Sequence, residues 1–337
     1  MERENVVKLQ NVKKWFDVSS GIVESILSRK QRYVKAVDGV TFSIKKGEIF
    51  GLVGESGCGK TTTGRLIMGA TDSTEGKVFF DGVDIFTIKN QEELKNLALK
   101  RQMIFQDPYE YLSPWLTVKD TLAEPLRIHD LVSDKEEELE KVIEIMETVD
   151  LTPVDMLLPK YSYELSGGQR QRVIIARALL LNPYFIVADE PVSMLDVSIR
   201  MGVLNLLLDM RDKFDLTLLF ITHDIAISRY MCDQIGVMYL GKIVERGPTE
   251  TIINNPLHPY TQALLSAVPV PDPKVIRTEI PIIGRIPTTS YDFLGCRFAP
   301  RCPYAEDQCS KLESELIEVT NGHFVACPRA KESTSAH

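Results

Sequence analysis

Residues 51–62 spell GLVGESGCGKTT, and no other stretch constrains the fold of this chain so tightly. The spacing G-x-x-x-x-G-K-[ST] runs from Gly54 to Thr61, directly after the apolar run EIFGLVG and directly before a helical pattern. That context is what a phosphate-cradling loop needs. Gly54, Gly57 and Gly59 let the backbone fold tightly so that successive N–H groups point inward, where a side chain would block the approach. Glu55, Ser56 and Cys58 fill the intervening positions, and Cys58 has no chemical duty of its own. Lys60 supplies a mobile cation for the outer phosphates, the Thr61 hydroxyl suits Mg²⁺, and Thr62 lies within reach of the α-phosphate. A strand, a glycine loop and a helix in succession imply an α/β fold with a largely buried sheet.

The rest of the chain agrees. From Val40 to about Leu240, short β-branched and aliphatic runs alternate with helical patterns, and EIFGLVG, YFIVAD and LTLLFIT are the best central-strand candidates. Between Asp107 and Glu164 the texture changes. Leu139, Val142, Ile143, Met146 and Val149 recur at helical spacing in an acidic segment, with Asp134 or Ser133 as the cap. The run DKEEELEK is expected to be a solvated helix face. After Gly241 come 11 of the 18 prolines, which disfavours long helices and implies a small, loop-rich appendage. No internal repeat is present.

Charge and leader signals narrow the class. With 39 Lys and Arg against 47 Asp and Glu, the net charge of −8 offers no broad cationic field for nucleic acid. The start, MERENVVKL, lacks the pattern of a secretory signal, and no apolar run approaches bilayer length, so a cytosolic location is expected. In a reducing compartment the crowded cysteines Cys296, Cys302, Cys309 and Cys327 suggest ligands before disulfides.

Downstream of the phosphate loop stand MIFQDPYEYL, LSGGQRQR, YFIVADEP, SMLD and FITHD. In this order they resemble the ATP-binding-cassette (ABC) ATPases over roughly residues 5 to 245. The resemblance implies a nucleotide-binding core over residues 1–106 and 165–247, an inserted helical subdomain over 107–164, and an extension over 248–337. It also implies that two cassettes sandwich ATP, so that Ser166, Gly167, Gly168 and Gln169 cap the γ-phosphate held by a partner. A helix start there supplies a favourable field. By the same resemblance Asp189 is the carboxylate on the Mg²⁺ side, together with Thr61 and Gln106. Glu190 is the general base, His223 the switch residue and Asp196 the D-loop aspartate. Asp189 and Glu190, as neighbours on a strand, are expected to point to opposite sides. Met194 stands where the family more often has Ala. Near the start, LQNVKKWFDV matches the segment whose aromatic stacks on adenine, with Phe16 the better fit and Trp15 the second; core packing is the alternative for both.

Two further stretches, NNPLHPYTQALLSAVPVPDP and GCRFAPRCPYAEDQC, resemble the C-terminal extension of oligopeptide/dipeptide importer ATPases. The insertion DVSSGIVESILSRKQRYVK resembles the second of that system's two ATPase subunits. The implied partners are a distinct second ATPase forming a heterodimer, two transmembrane permeases and an extracytoplasmic substrate-binding protein, with this chain peripheral on the cytoplasmic face of the membrane. The segment Asp107 to Leu116 is where the family couples to its permeases. Peptides, oligosaccharides or nickel complexes are all carried on this plan. The cysteine spacings, with five, six and 17 residues between, exceed the usual zinc knuckle. In this family such a segment can hold a [4Fe–4S] cluster; Zn²⁺ and unligated thiols are the alternatives. Rival readings are a soluble cassette ATPase acting on nucleic acid or ribosomes, and a redox-sensing module. The former generally carries long coiled-coil insertions or two cassettes in one chain, and neither is present.

Overall fold

A computed structural model describes residues 4–17, 33–107, 111–268, 282, 284 and 294–330. The chain divides into two compact units, Met1–Phe86 with Phe220–His337, and Thr87–Leu219. In the first, β1 (Asn5–Asp17) pairs antiparallel with β2 (Tyr33–Lys45). Val7, Leu9 and Val12 are buried and define the inner face of β1. A register shift between Leu9 and Val12 is accommodated by Asn11, whose φ of 48° is a conformation Asn tolerates better than most residues. The strand β3 (Ile49–Val53) is buried at every residue and delivers the chain into the glycine loop, which opens α1 (Lys60–Ile67). Two more strands, β4 (Glu75–Phe80) and β5 (Val83–Asp84), complete an antiparallel sheet of order β2-β1-β4-β5.

The second unit begins with α2 (Gln91–Lys100), capped by the Asn90 side chain, and β6 (Arg101–Ile104). Then come α3 (Val118–Ile128), α4 (Lys135–Thr148), the single turn α5 (Val154–Leu157) and α6 (Gly167–Leu179). Asp134, rather than Ser133, caps α4 by accepting the N–H groups of Glu136 and Glu137. Val142, Met146 and Val149 are buried as the spacing predicts, while Leu139 and Ile143 are only half-buried. The acidic run is not solvated throughout: Glu138 is buried, because Arg127 of α3 reaches across to it with two hydrogen bonds of 2.5 and 2.6 Å. After α6, β7 (Phe185–Asp189) pairs parallel with β6, and α7 (Val197–Phe214) follows.

The chain returns to the first unit along β8 (Thr217–Thr222), buried at all six residues, into α8 (Ile225–Met231). Next are β9 (Gln234–Tyr239), β10 (Lys242–Pro248), α9 (Thr249–Asn254) and α10 (Pro259–Ser266). The appendage ends in α11 (Asp307–Lys311), β11 (Ile317–Thr320) and β12 (His323–Val325). Strands here lie in the order β11-β12-β10-β9-β3, with β3 parallel to β9 and the remainder antiparallel. The elements after β10 are short, as the proline content predicts. The insertion noted between Phe16 and Ala36 falls mostly on residues 18–32, outside the described residues.

Candidate nucleotide site

The phosphate loop is as tight as its glycines imply. A Cβ on Gly54 would stand 2.2 Å from the Met238 carbonyl oxygen, and one on Gly59, at φ +109°, would stand 2.1 Å from that of Ala36. Neither position admits a side chain without moving backbone. Gly59 is also the N-cap of α1, so the helix start meets the loop with no side chain in the way. The buried Lys60 ammonium lies inside the turn, donating to the carbonyl oxygens of Gly54 at 2.7 Å and Glu55 at 3.1 Å. Ser56 and Gly57 are exposed, Thr61 and Thr62 half-buried in the first turn of α1. Burial pushes the Cys58 thiol up to about 11, consistent with a filler rather than a nucleophile. A cradle that a Cβ would fill, with a cation already inside it, fits a polyphosphate.

In the other unit, β7 ends at the buried Asp189, and Glu190 follows with φ 45°. The two carboxylates therefore do not diverge by strand alternation. The strand has stopped, and a left-handed residue turns the chain, its carbonyl accepting from the N–H and hydroxyl of Ser193. A non-glycine residue in this region costs on the order of 1–3 kcal/mol, and such outliers concentrate at functional sites. Gln106 donates from Nε2 to Glu190 Oε2 at 3.3 Å, which joins two residues assigned separately from sequence.

The signature segment starts α6. The exposed Ser166 is its N-cap, accepting from Gln169 N–H at 3.3 Å, while Gln169 Oε1 accepts from Ser166 N–H at 3.0 Å. This reciprocal capping box leaves Gly167 and Gly168 as the first two helical residues. Asp196, also exposed, precedes α7 as its N-cap position.

His223 is exposed immediately after β8. At the end of β1, the Phe16 ring is 44% exposed, with the Lys14 ammonium 5.2 Å from its centroid. Trp15 is engaged elsewhere: its indole N–H donates to Asp38 at 3.1 Å, and Lys13 and Lys35 stand 5.4 and 4.8 Å from its ring. Of the two aromatics, Phe16 has the face to offer.

The four late cysteines are free thiols on one small segment, and Cys296 N–H donates to the Cys309 carbonyl at 2.7 Å. Burial pushes the Cys296 thiol up to about 11, and Cys327 and Cys309 add to the shift; Cys302 and Cys327 are raised for the same first reason. Among the described residues, no group of three or more His, Cys, Asp or Glu side chains is placed to hold a metal ion. The ligand cage expected from the cysteine count is thus not formed by these side-chain positions.

Sequence reasoning missed two contacts to the phosphate loop. Glu55 N–H donates to the Tyr260 hydroxyl at 2.9 Å, and Arg301 grips the Glu55 carboxylate with two hydrogen bonds of 2.7 and 3.0 Å. Glu55 and Arg301 are separated by 246 positions, so no local pattern signals the pair.

A family model described as ABC transporter matches residues 37–193, and one described as oligopeptide/dipeptide transporter, C-terminal region, matches residues 244–309. The chain is 45% identical over 327 residues to the oligopeptide transport ATP-binding protein AppF of Bacillus subtilis strain 168, covering 96% of this chain and 97% of AppF. This chain belongs to the ABC ATPases of the oligopeptide/dipeptide transporter family. The ATPase is also 46% identical over 298 residues to OppF of the same organism, with 88% of this chain and 92% of OppF covered. Among solved structures it resembles the ATP-binding cassette MJ0796 in a dimeric post-hydrolysis state bound to ADP and Pi, with a TM-score of 0.62 and 28% identity over 72% of this chain and 98% of that one. The cassette fold and ATP with Mg²⁺ as its ligands follow from this membership. Among the described residues, no helix is long and apolar enough to cross a membrane.

Proposed function

We propose that this ATPase powers the import of oligopeptides, dipeptides or solutes carried on the same plan, from the cytoplasmic face of a membrane. It would act as one of two unlike cassettes bound to two permeases and supplied by an extracytoplasmic binding protein. The observation that carries the reading is the C-terminal oligopeptide/dipeptide region joined to an intact phosphate loop in one chain. Relatives matched over nearly their whole length bear the name oligopeptide transport ATP-binding protein.

In this reading the core spans residues 1–106 and 165–247, with 107–164 as the helical insert. The loop from Gly54 to Thr62 holds the phosphates, with Lys60 leaving the loop carbonyls for the outer phosphates and Phe16 supporting adenine. Bound with ATP, Mg²⁺ would supply positive charge to offset the charge that develops on the phosphates. Thr61, Gln106 and Asp189, each with a side-chain oxygen suited to a hard cation, are the residues that would hold it. Glu190 accepts a proton from the attacking water, oriented by Gln106, and His223 contacts the γ-phosphate. Ser166, Gly168 and Gln169 close over nucleotide held by the partner, with Asp196 at the same seam. Driving a two-state transporter from 1:99 to 99:1 takes about 5.5 kcal/mol. Charge-assisted hydrogen bonds contribute about 1.5–3 kcal/mol each, so a few signature contacts made only to ATP suffice. Of the permease-coupling segment, residues 108–110 lie outside the described residues, while Trp115 is 86% exposed and available to a partner. A [4Fe–4S] cluster on the four cysteines, with Zn²⁺ as alternative, rests on their number and mutual proximity and requires their side chains to reorient.

Purifying the membrane complex with its binding protein and measuring which solutes raise ATP turnover tests the reading. Stimulation by short peptides is expected. Turnover indifferent to every transported solute, with the chain bound to nucleic acid instead, would contradict it.

A further inference from the structure

Every polar group of Glu55 is committed. Its N–H goes to Tyr260, its carboxylate to Arg301, and its carbonyl oxygen accepts from Lys60. One residue of the phosphate loop thus joins the loop's own cation to the C-terminal appendage. Arg301 is 6% exposed and ends a 3₁₀ turn, Ala299–Arg301, that lies between Cys296 and Cys302. The turn is anchored by Phe298, fully buried against Tyr239 and Tyr260 with ring centroids 5.3 and 5.4 Å apart. A further hydrogen bond of 3.3 Å runs from Arg301 to the Tyr239 hydroxyl.

The chemistry gives this clamp a purpose beyond packing. A carboxylate in a loop built for polyphosphate repels the ligand unless its charge is neutralised, and a bidentate guanidinium neutralises it while fixing its geometry. The planar fork of Arg301 faces Glu55 with both terminal nitrogens.

We propose that Arg301, with Tyr260, is a positioning residue for nucleotide: by neutralising and fixing Glu55 the appendage sets the affinity of the phosphate loop for ATP. The inference rests on the reading that this loop binds ATP. It gives the appendage a duty toward the nucleotide that does not depend on what the cysteines hold.

The test uses the full chain in its transporter complex, with MgATP displacing a fluorescent nucleotide to give Kd, and steady-state turnover to give KM and kcat. Arg301→Ala is expected to weaken MgATP binding at least about tenfold and to raise KM, with kcat at saturation changed less than about twofold. Adding Glu55→Gln to Arg301→Ala removes the exposed charge and is expected to recover affinity to within about threefold of wild type. A merely structural arginine would give no such rescue. Folded Arg301→Ala protein with wild-type Kd, or a double variant no better than the single, overturns the proposal. Should Arg301→Ala fail to fold, Tyr260→Phe carries the test, with weaker binding expected and unchanged binding overturning it. Wild-type protein that binds no MgATP in this assay would refute the nucleotide reading itself, a result distinct from equal binding by wild type and variant.

Discussion

Acid should loosen the appendage through one histidine. His258 is 1% exposed at the N-cap of α10, where its Nδ1 accepts the N–H of Tyr260 at 3.1 Å. Its own N–H donates to Glu245 Oε2 at 3.0 Å. Burial lowers its pKa from 6.5 to about 4, against the opposing pull of the Glu245 carboxylate. Protonating Nδ1 would also set two donors facing each other at the helix cap. Between those two values the unfolded chain binds a proton that the folded chain does not, so stability rises with pH across the window. It is fully present above about pH 6.5 and is lost progressively as pH falls toward about 4. The slope from this group is about 1.4 kcal/mol per pH unit, and the whole window amounts to about 3 kcal/mol. The assay is urea unfolding of the full chain followed by tryptophan fluorescence, in wild type and in His258→Asn, which keeps a capping oxygen and does not titrate. Trp15, in the same unit, carries the structured signal, since Trp115 is already exposed. The wild-type slope should exceed that of the variant by one proton across the window. Identical slopes would refute the assignment.

Other outcomes follow from the same structure. Glu245 accepts from Leu257 N–H and His258 N–H and pairs with His323 Nε2 at 2.8 Å, all of them buried or half-buried. Glu245→Ala should therefore destabilise the first unit by about 3–5 kcal/mol in denaturant titration, because its partners stay buried and unpaired. Gly59→Ala should abolish MgATP binding in equilibrium dialysis, given a Cβ 2.1 Å from a backbone oxygen. Ser166→Ala should cost about 1 kcal/mol of stability by thermal unfolding through loss of the α6 cap. It should also lower ATP turnover of the assembled complex, measured as phosphate release.

What the sequence disclosed and what it hid divide along a physical line. Strands β3, β7 and β8 were legible because runs buried on both faces are continuously apolar, and the start of α4 because capping is a local reaction between neighbours, although Asp134 and Ser133 were equal candidates for it until the structure chose Asp134. The phosphate loop was legible because its geometry excludes other residue types at Gly54 and Gly59. Partnerships over long separations left no trace: Arg301 with Glu55, Glu245 with His323, and Arg127 drawing Glu138 out of solvent. The turn at Glu190 was hidden for a different reason, since glutamate does not advertise a left-handed φ and only the surrounding structure imposes it. The aromatic pair at the end of β1 was ambiguous in sequence, and the Trp15–Asp38 hydrogen bond separates the two.

Glu190, in its proposed role as the base acting on ATP held in this chain, offers the most direct test. In the purified complex, Glu190→Gln should bind MgATP with near wild-type affinity while single-turnover phosphate release falls by two or more orders of magnitude, of the size that loss of a general base produces. Phosphate release from that variant at the wild-type rate would contradict the account.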